Sequence, residues 1–326
     1  MRTEVLPATT EHAVSRAVAL LRQGEAVALP TETVYGLAAD ALREDAVVKI
    51  FHAKARPRFD PLIVHLPDVS WVERVAIIDE SVREPFSQLA KQFWPGPLTF
   101  IFPRQPDISD IVTAGLETVA IRLSAHPVFQ EVITAFGGPL AAPSANRFGR
   151  ISPTAAGHVL EELQDLIPLI VDGGPTAHGL ESTIVALRNG RIELLRRGPV
   201  TQEQLSEFGE VVVAAATAHP EAPGQLPSHY APKVRLILAE GAAGTDLPPD
   251  KRCGLLSWNP KTDARFVEVR LLSERQDLAE AATNLFRLLR ELDGCDLDLI
   301  VAEQLPEEGL GAAINDRLRR AAATAG

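Results

Sequence analysis

The stretch LPTETVYGLAADA, residues 29–41, follows the apolar run Ala26-Val27-Ala28-Leu29, which reads as a short buried strand. Pro30 ends that strand, because proline has no N–H to give to a ladder. If the chain stays extended past it, side chains alternate, and Thr31, Thr33 and Tyr35 line one face. Glu32 then points the other way, as a brace. Three hydroxyls just beyond a core strand mark a sheet end that faces something other than the core.

Working outward, helical and strand patterns alternate through the first 205 residues. A helix after Thr10 buries Val14, Ala17, Val18 and Leu21 and stops at Gly24. Further helices are expected near 44–53, 84–93, 127–136, 153–164 and 201–208. Strands are expected at PLIVHL (61–66), LTFIF (98–102), TVAIRL (118–123), PLIVD, STIVAL and RIELL. Strands outnumber helices and several are close neighbours. The fold class is therefore α/β, a twisted mixed sheet with flanking helices.

Residues 211–233, VVVAAATAHPEAPGQLPSHYAPK, break this rhythm. Pro220, Pro223, Pro227 and Pro232 make the latter part an extended linker. Beyond it VRLILAE, CGLLSW, FVEVRL, a long helix, LDLIVAE and a final helix form a smaller Rossmann-like α/β pattern. Ser273 and Gln276 have capping-box spacing before the long helix, whose buried stripe is Leu278, Ala282, Leu285, Leu289 and Leu292. The expected domains are 1–210 and 234–326, with 211–233 between them.

Composition agrees with a globular protein, at 326 residues and 46% apolar. A net charge of −11 argues against broad charge-driven nucleic-acid binding but leaves room for a local basic pocket. Two cysteines, Cys253 and Cys295, point to a reducing compartment. The absence of a signal-peptide core and of any long apolar run points to a cytoplasmic location without a membrane partner.

Chemistry concentrates in a few places. In KIFHAKARPRFDPLIVHL, Lys54, Arg56 and Arg58 fall at i, i+2 and i+4, and Pro57 and Pro61 favour extended chain. A solvated, charged loop would read the same way. Leading straight into an apolar strand, however, the cluster calls for an anion, phosphate first. In LAAPSANRFGRISP, Ser144 and Asn146 share a side. With no nucleophile elbow and no histidine nearby, they read as hydrogen-bonding groups or as ordinary turn residues. Ser182 opens one strand and Arg196 ends the next. Arg122 lies inside an apolar strand, four residues after Thr118, and needs a partner. His65 within LIVHL reads equally as a structural histidine. No Walker loop, dinucleotide fingerprint or metal-ligand spacing is present.

Together LPTETVYGLAADA, KARPRFDPLIVH, WPGPLTF, VTAGLETVAIRLSAHP, APSAN, SPT, GLESTIV, LLRRGPV and SHYAPK resemble the threonylcarbamoyl-AMP synthases, in that family's order, across most of residues 20–233. The first domain resembles the YrdC-like fold, and the linker plus second domain resembles the long members. The resemblance implies that L-threonine, bicarbonate and ATP give threonylcarbamoyl-AMP and pyrophosphate. A separate enzyme, met transiently, would pass the group to tRNA. It implies catalytic roles for Lys54, Arg56, Ser144 and Asn146. Nucleotide contacts would come from these four and from Asp60, Thr118, Ser152, Arg196 and Tyr230, the last carried into the site by the linker. Threonine contacts would come from Thr33, His65, Arg122 and Ser182. Magnesium is expected with ATP, held by substrate phosphates rather than by protein ligands. The sequence departs from the family at Asp60, where Asn or His is usual, and at Gln225 and Ser228, where Met and a basic residue are usual. The rival readings are an RNA-binding module, another ATP-using carbamoyl transferase and a metabolic lyase. They lack, respectively, an aromatic platform, extra modules and acidic metal clusters.

Overall fold

The computed structural model describes residues 2–57, 59–214, 221–224, 229–260 and 263–323. Arg58, Pro220, Gln225, Pro227 and Ser228, which figure in the sequence reading, lie outside the described residues. The chain forms two compact units: Met1–Phe148 with Pro153–Ala177 and Glu181–Gln225, and Leu226–Gly326 with Gly149–Ser152 and His178–Leu180.

In the first unit the chain runs β1 (Glu4–Pro7), α1 (Ala13–Arg22), β2 (Val27–Leu29), β3 (Gly36–Asp40), α2 (Glu44–Lys54) and β4 (Ile63–His65). Next come α3 (Val72–Val75), α4 (Glu80–Phe93), β5 (Leu98–Pro103), α5 (Asp110–Thr113), β6 (Thr118–Arg122), α6 (Pro127–Phe136) and β7 (Leu140–Ala141). The unit closes with α7 (Ala156–Leu163), β8 (Leu169–Asp172), β9 (Thr183–Arg188), β10 (Arg191–Arg196), α8 (Gln202–Ser206) and β11 (Val211–Val213). The sheet order is β1-β8-β2-β3-β7-β4-β6-β5-β9-β10-β11, with parallel and antiparallel pairs mixed.

Alternation along the strands separates two cores. Val27 and Leu29 of β2 join Leu169 and Val171 of β8 under α1 and α6. Ala28 and Ile170 face the opposite way, into the main core. There Phe86 of α4 meets Trp94, Phe100 and Phe102 edge-on, with ring centroids 5.1–5.7 Å apart. Losing such an aromatic typically costs about 3–5 kcal/mol, so this cluster fixes β5 against α4.

Two expectations need correction, and one strand was not foreseen. Val211–Val213, read as the start of the linker, is an edge strand parallel to β10, and Val211 packs on the main core. The hydrophobic stretch was long enough to pair once, before the prolines. The N-terminal strand β1, not expected at all, pairs with β8. Residues 29–41 are not one extension: β2 ends at Leu29, bends occupy 32–34, and the antiparallel β3 begins at Gly36.

The second unit carries a parallel sheet of β12 (Arg235–Ala239), β13 (Cys253–Ser257), β14 (Glu268–Leu271) and β15 (Leu299–Glu303), ordered β12-β15-β13-β14. The helices are α9 (Leu278–Asp293) and α10 (Gly309–Ala322). The N-cap of α9 is Asp277, not the Ser273 box: its Oδ1 accepts from the N–H groups of Ala279 and Glu280. Ser273 sits one turn earlier, accepting from Asp277 N–H and donating to Glu280. Both cysteines are free thiols.

At the end of β15, Glu303 is buried and accepts from the N–H groups of Ala242, Trp258 and Asn259 and from the Ser257 hydroxyl, at 2.8–2.9 Å. Burial pushes its pKa up, but these donors outweigh burial and hold it below the usual carboxylate value. Its contribution is therefore present above the unfolded carboxylate pKa and is lost as pH falls through the lowered folded value. Glu303→Ala leaves three backbone donors without an acceptor. It is expected to destabilise the second unit by about 3 kcal/mol, read as an earlier urea transition of that unit. A transition within about 0.5 kcal/mol of wild type would refute the assignment.

Candidate active site

Register decides which side chains meet. Ile63 and His65 of β4 pair with Ala120 and Arg122 of β6. Ala120 and Arg122 pair on their other side with Ile101 and Thr99 of β5, which in turn face Ala186 and Ile184 of β9. By alternation all of these lie on one face. Their neighbours Val64, Val119, Ile121, Phe100 and Val185 lie on the other, in the main core. Ile63, Ile101, Ala120, Ile184 and Ala186 form a separate small cluster, completed by Ala222 from the short described piece of the linker, 221–224. That piece is tied down by Arg188 to Glu221 at 2.8 Å and by Arg196 Nη1 to the Pro223 carbonyl at 3.1 Å. One end of this face is polar: His65, Arg122 and Thr99, with Ser182 immediately before β9.

Arg122 is 3% exposed and so must be partnered. Its Nη2 donates to Glu32 Oε1 at 2.6 Å and to Thr33 Oγ1 at 2.9 Å, and Nε donates to the Gly96 carbonyl at 3.3 Å. Glu32 Oε2 accepts from Ser124 at 2.5 Å. Burial alone would raise the Glu32 pKa. The Arg122 charge and the hydrogen bonds from Ser124 and Arg122 outweigh it and bring the pKa down to about 2. The brace expected of Glu32 is thus an ion pair to Arg122.

The hydroxyls do not line one face by alternation. Thr31 Oγ1 accepts from the N–H groups of Thr33 and Val34 at 3.1 and 3.2 Å, and this bends the chain. It also lies 2.8 Å from Thr33 Oγ1, which keeps Thr33 turned toward Arg122. Tyr35 points elsewhere. Its hydroxyl donates to the Gly174 carbonyl and accepts from Gly173 N–H, and burial raises its pKa. Ser182 is fully buried between Thr99 Oγ1 at 2.8 Å and Arg196 Nη2 at 3.0 Å. His65 is buried against the Phe129 ring, with centroids 4.7 Å apart, and its Nδ1 has no partner among the described residues. Burial first, then the Arg122 charge, lowers its pKa to about 3 against the weaker pull of Glu32. This imidazole is neutral at physiological pH.

The cations are arranged differently from the expected extended ladder. Helix α2 runs through Lys54, and Ala55 caps it in the left-handed region, at φ 49°. The turn separates Lys54 from Arg56. Lys54 is 1% exposed, and its Nζ donates to the carbonyls of Ser144 and Asn146, each at 2.5 Å. Its own carbonyl accepts from Phe148 N–H at 2.8 Å. Burial, and next the Arg56 charge, lowers its pKa well below the usual ammonium value. Arg56 donates from Nε to the Asp60 carbonyl and from Nη2 to the Pro61 carbonyl, at 3.2 and 2.8 Å, and lies over the Phe148 ring. Its Nη2 is 2.8 Å from Asp60 Oδ2. Asn146 Nδ2 donates to the Arg147 carbonyl, and Ser144 is half-buried. Residues 143–145 pair with the first motif, Leu37 N–H to Pro143 O and Ala145 N–H to Tyr35 O, both at 2.8 Å.

Thr33, His65, Arg122, Ser182 and Arg196 therefore meet at one end of the face, while Lys54, Arg56, Asp60, Ser144 and Asn146 form a second group beyond the start of β4. Arg196 links the two, since its charge also acts on Asp60. Thr118 shares the face but sits four residues from Arg122 along β6, about 13 Å away. Ser152 and Tyr230 fall in the second unit. There Ser152 is fully buried, and Tyr230 stacks on Phe286 with Arg317 over its ring. Sequence reasoning missed Thr99 and Ser124. A lone threonine in LTFIF was the available signal for the first. Among the described residues no three His, Cys, Asp or Glu side chains converge as a metal cage, and none has a helix long and apolar enough to cross a membrane.

A family model described as "Telomere recombination", that of the Sua5, YciO and YrdC proteins, matches residues 19–198. A second, described as "Threonylcarbamoyl-AMP synthase, C-terminal domain", matches 200–323. The threonylcarbamoyl-AMP synthase of Bacillus subtilis (strain 168) is 42% identical, over 96% of this chain and 94% of that protein. The crystal structure of P. abyssi Sua5 complexed with L-threonine is similar at a TM-score of 0.88 and 36% identity, over 99% of this chain and 98% of that one. E. coli YciO, at 19% identity and a TM-score of 0.50, shares the fold of 60% of the chain. Across both units, the chain belongs to the threonylcarbamoyl-AMP synthase family of enzymes.

Proposed function

We propose that this enzyme makes L-threonylcarbamoyladenylate from L-threonine, bicarbonate and ATP in the cytoplasm, for threonylcarbamoyl modification of tRNA by a separate downstream enzyme. The observation that carries this reading is the polar end row. A guanidinium fixed at Nε and Nη2, with Nη1 unpartnered among the described residues, stands beside a neutral imidazole and the hydroxyls of Thr33 and Ser182. That set suits a hydroxylated α-amino acid: Arg122 takes the carboxylate, while His65 Nδ1 and the hydroxyls meet the polar side.

The chemistry needs no enzyme nucleophile. The neutral amine of threonine adds to the carbon of CO2, releasing a proton, or to that of bicarbonate, releasing water in which the amine proton is carried away, and gives a carbamate. A carbamate oxygen then forms a bond to the α-phosphorus as the bond to the β-phosphate oxygen breaks, and pyrophosphate leaves. Such a step is positioning and charge neutralisation. Arg56 and Arg196 would offset phosphate charge. Lys54 holds the carbonyls of Ser144 and Asn146, and so positions the groups proposed to meet the anhydride oxygens. Thr118, Ser152 and Tyr230 are proposed nucleotide contacts on the family pattern alone. Magnesium would arrive on the triphosphate, held by phosphate and water.

Purified protein with magnesium, ATP and bicarbonate is expected to release pyrophosphate only when L-threonine is added. Threonine-independent release, or none, refutes the reading. Arg122→Lys keeps the charge that Glu32 needs but loses the planar fork. It is expected to raise the KM for threonine roughly 10- to 100-fold, as for the loss of one charge-assisted hydrogen bond, with the KM for ATP changed far less. Equal threonine KM values in variant and wild type would show that Arg122 is not the carboxylate clamp.

A further inference from the structure

A fully buried carboxylate stands among the cations assigned to the triphosphate. Asp60 is 0% exposed, with Oδ2 2.8 Å from Arg56 Nη2, yet neither oxygen accepts a well-aligned hydrogen bond from any described residue. Structural ion pairs inside proteins ordinarily satisfy both oxygens. Nor does Arg56 depend on this carboxylate for its orientation, because the Asp60 and Pro61 carbonyls already hold the guanidinium. What the side chain adds is negative charge. The groups acting on it come from three places: Arg56 in the turn after α2, Lys54 at the end of α2, and Arg196 at the end of β10. Glu162 of α7 acts on Lys54 rather than on Asp60. Burial raises the Asp60 pKa above its ordinary value, and the three cations pull it back.

We propose that Asp60 is an internal counter-ion of the phosphate-binding cations, one that takes up a proton from solvent when ATP binds. The proposal rests on the assignment of Arg56 and Arg196 to the triphosphate, with Lys54 beside them. A polyphosphate brought to these cations places a second anion beside a carboxylate with no exposed surface. Two anions in one poorly solvated cluster cannot both stay ionised cheaply, so the carboxylate is the one neutralised. The sign follows from linkage. Bound ATP raises the pKa of Asp60 above its value in the free enzyme. ATP affinity is therefore greatest below the free-enzyme pKa, and it falls as pH rises until the bound-state pKa is passed. Asparagine, uncharged and of the same shape, mimics the neutral form permanently. The aspartate thus makes ATP use pH-sensitive where asparagine would not.

The test is titration calorimetry of the full chain with magnesium and α,β-methylene-ATP, which cannot lose pyrophosphate, in buffers of different ionisation enthalpy near pH 7.5. That pH lies above the phosphate's own ionisation at about 6. Wild type is expected to take up roughly half a proton or more per nucleotide bound. Asp60→Asn is expected to abolish most of that uptake and to bind roughly fivefold or more tightly at this pH, with the advantage shrinking as pH falls. Absence of proton uptake by wild type overturns the proposal without recourse to any variant, as does equal uptake by the two proteins. No nucleotide binding by wild type, or binding unaffected by Arg56→Ala, would overturn the site assignment and this inference with it.

Discussion

Lys54 imposes the constraint on which the site depends. A buried ammonium must be solvated by something, and here two carbonyls do it, those of Ser144 and Asn146. Satisfying the cation brings the 143–148 loop to the end of α2, where the Lys54 carbonyl takes the N–H of Phe148 as well. The same loop then pairs with Tyr35–Leu37. Three stretches far apart in sequence are thus held in one place by one charge, which burial keeps well below its usual pKa. Replacing that charge with a neutral side chain would leave two buried carbonyls unmet, a cost of about 1–3 kcal/mol each.

The Glu32–Arg122 pair does parallel work at the other end of the face. A buried ion pair is seldom a large source of net stability, since desolvation offsets most of the attraction. Its value lies in orientation. With Nη2 and Nε committed, the guanidinium cannot rotate, and a ligand meets a fixed direction rather than a mobile charge.

Much of this was legible in the sequence, and the reasons are local. Apolar runs of four to six residues with period two placed β4, β5, β6, β9 and β10 within a residue or two. Arg122 announced a partner by lying in an apolar strand, and Pro30 announced the end of β2. The partner's identity was another matter, because Glu32 lies 90 residues away and only register brings it near. Thr31 misled for a different reason. Its hydroxyl competes with extended structure by taking two backbone N–H groups, and hydrophobic periodicity is blind to that. Lys54 and Arg56 look alike in a string of cations, but a left-handed alanine between them sends one into carbonyls and the other to Asp60. In α9, Ser273 had the right spacing for a cap, but Asp277 stood nearer the apolar stripe and took the role.

The pairing of β1 with β8 carries a consequence for the growing chain. Glu4–Pro7 finds its partner in Leu169–Asp172, and among the described residues β1 has no other neighbour in the sheet. During synthesis at about 5–20 residues per second, the first strand waits roughly ten to thirty seconds for the residues that will cover its edge. Its exposed face is short, bears Glu4 and ends in Pro7, features that discourage pairing with a stranger. This strand is thus built to tolerate being alone until the ribosome has delivered β8.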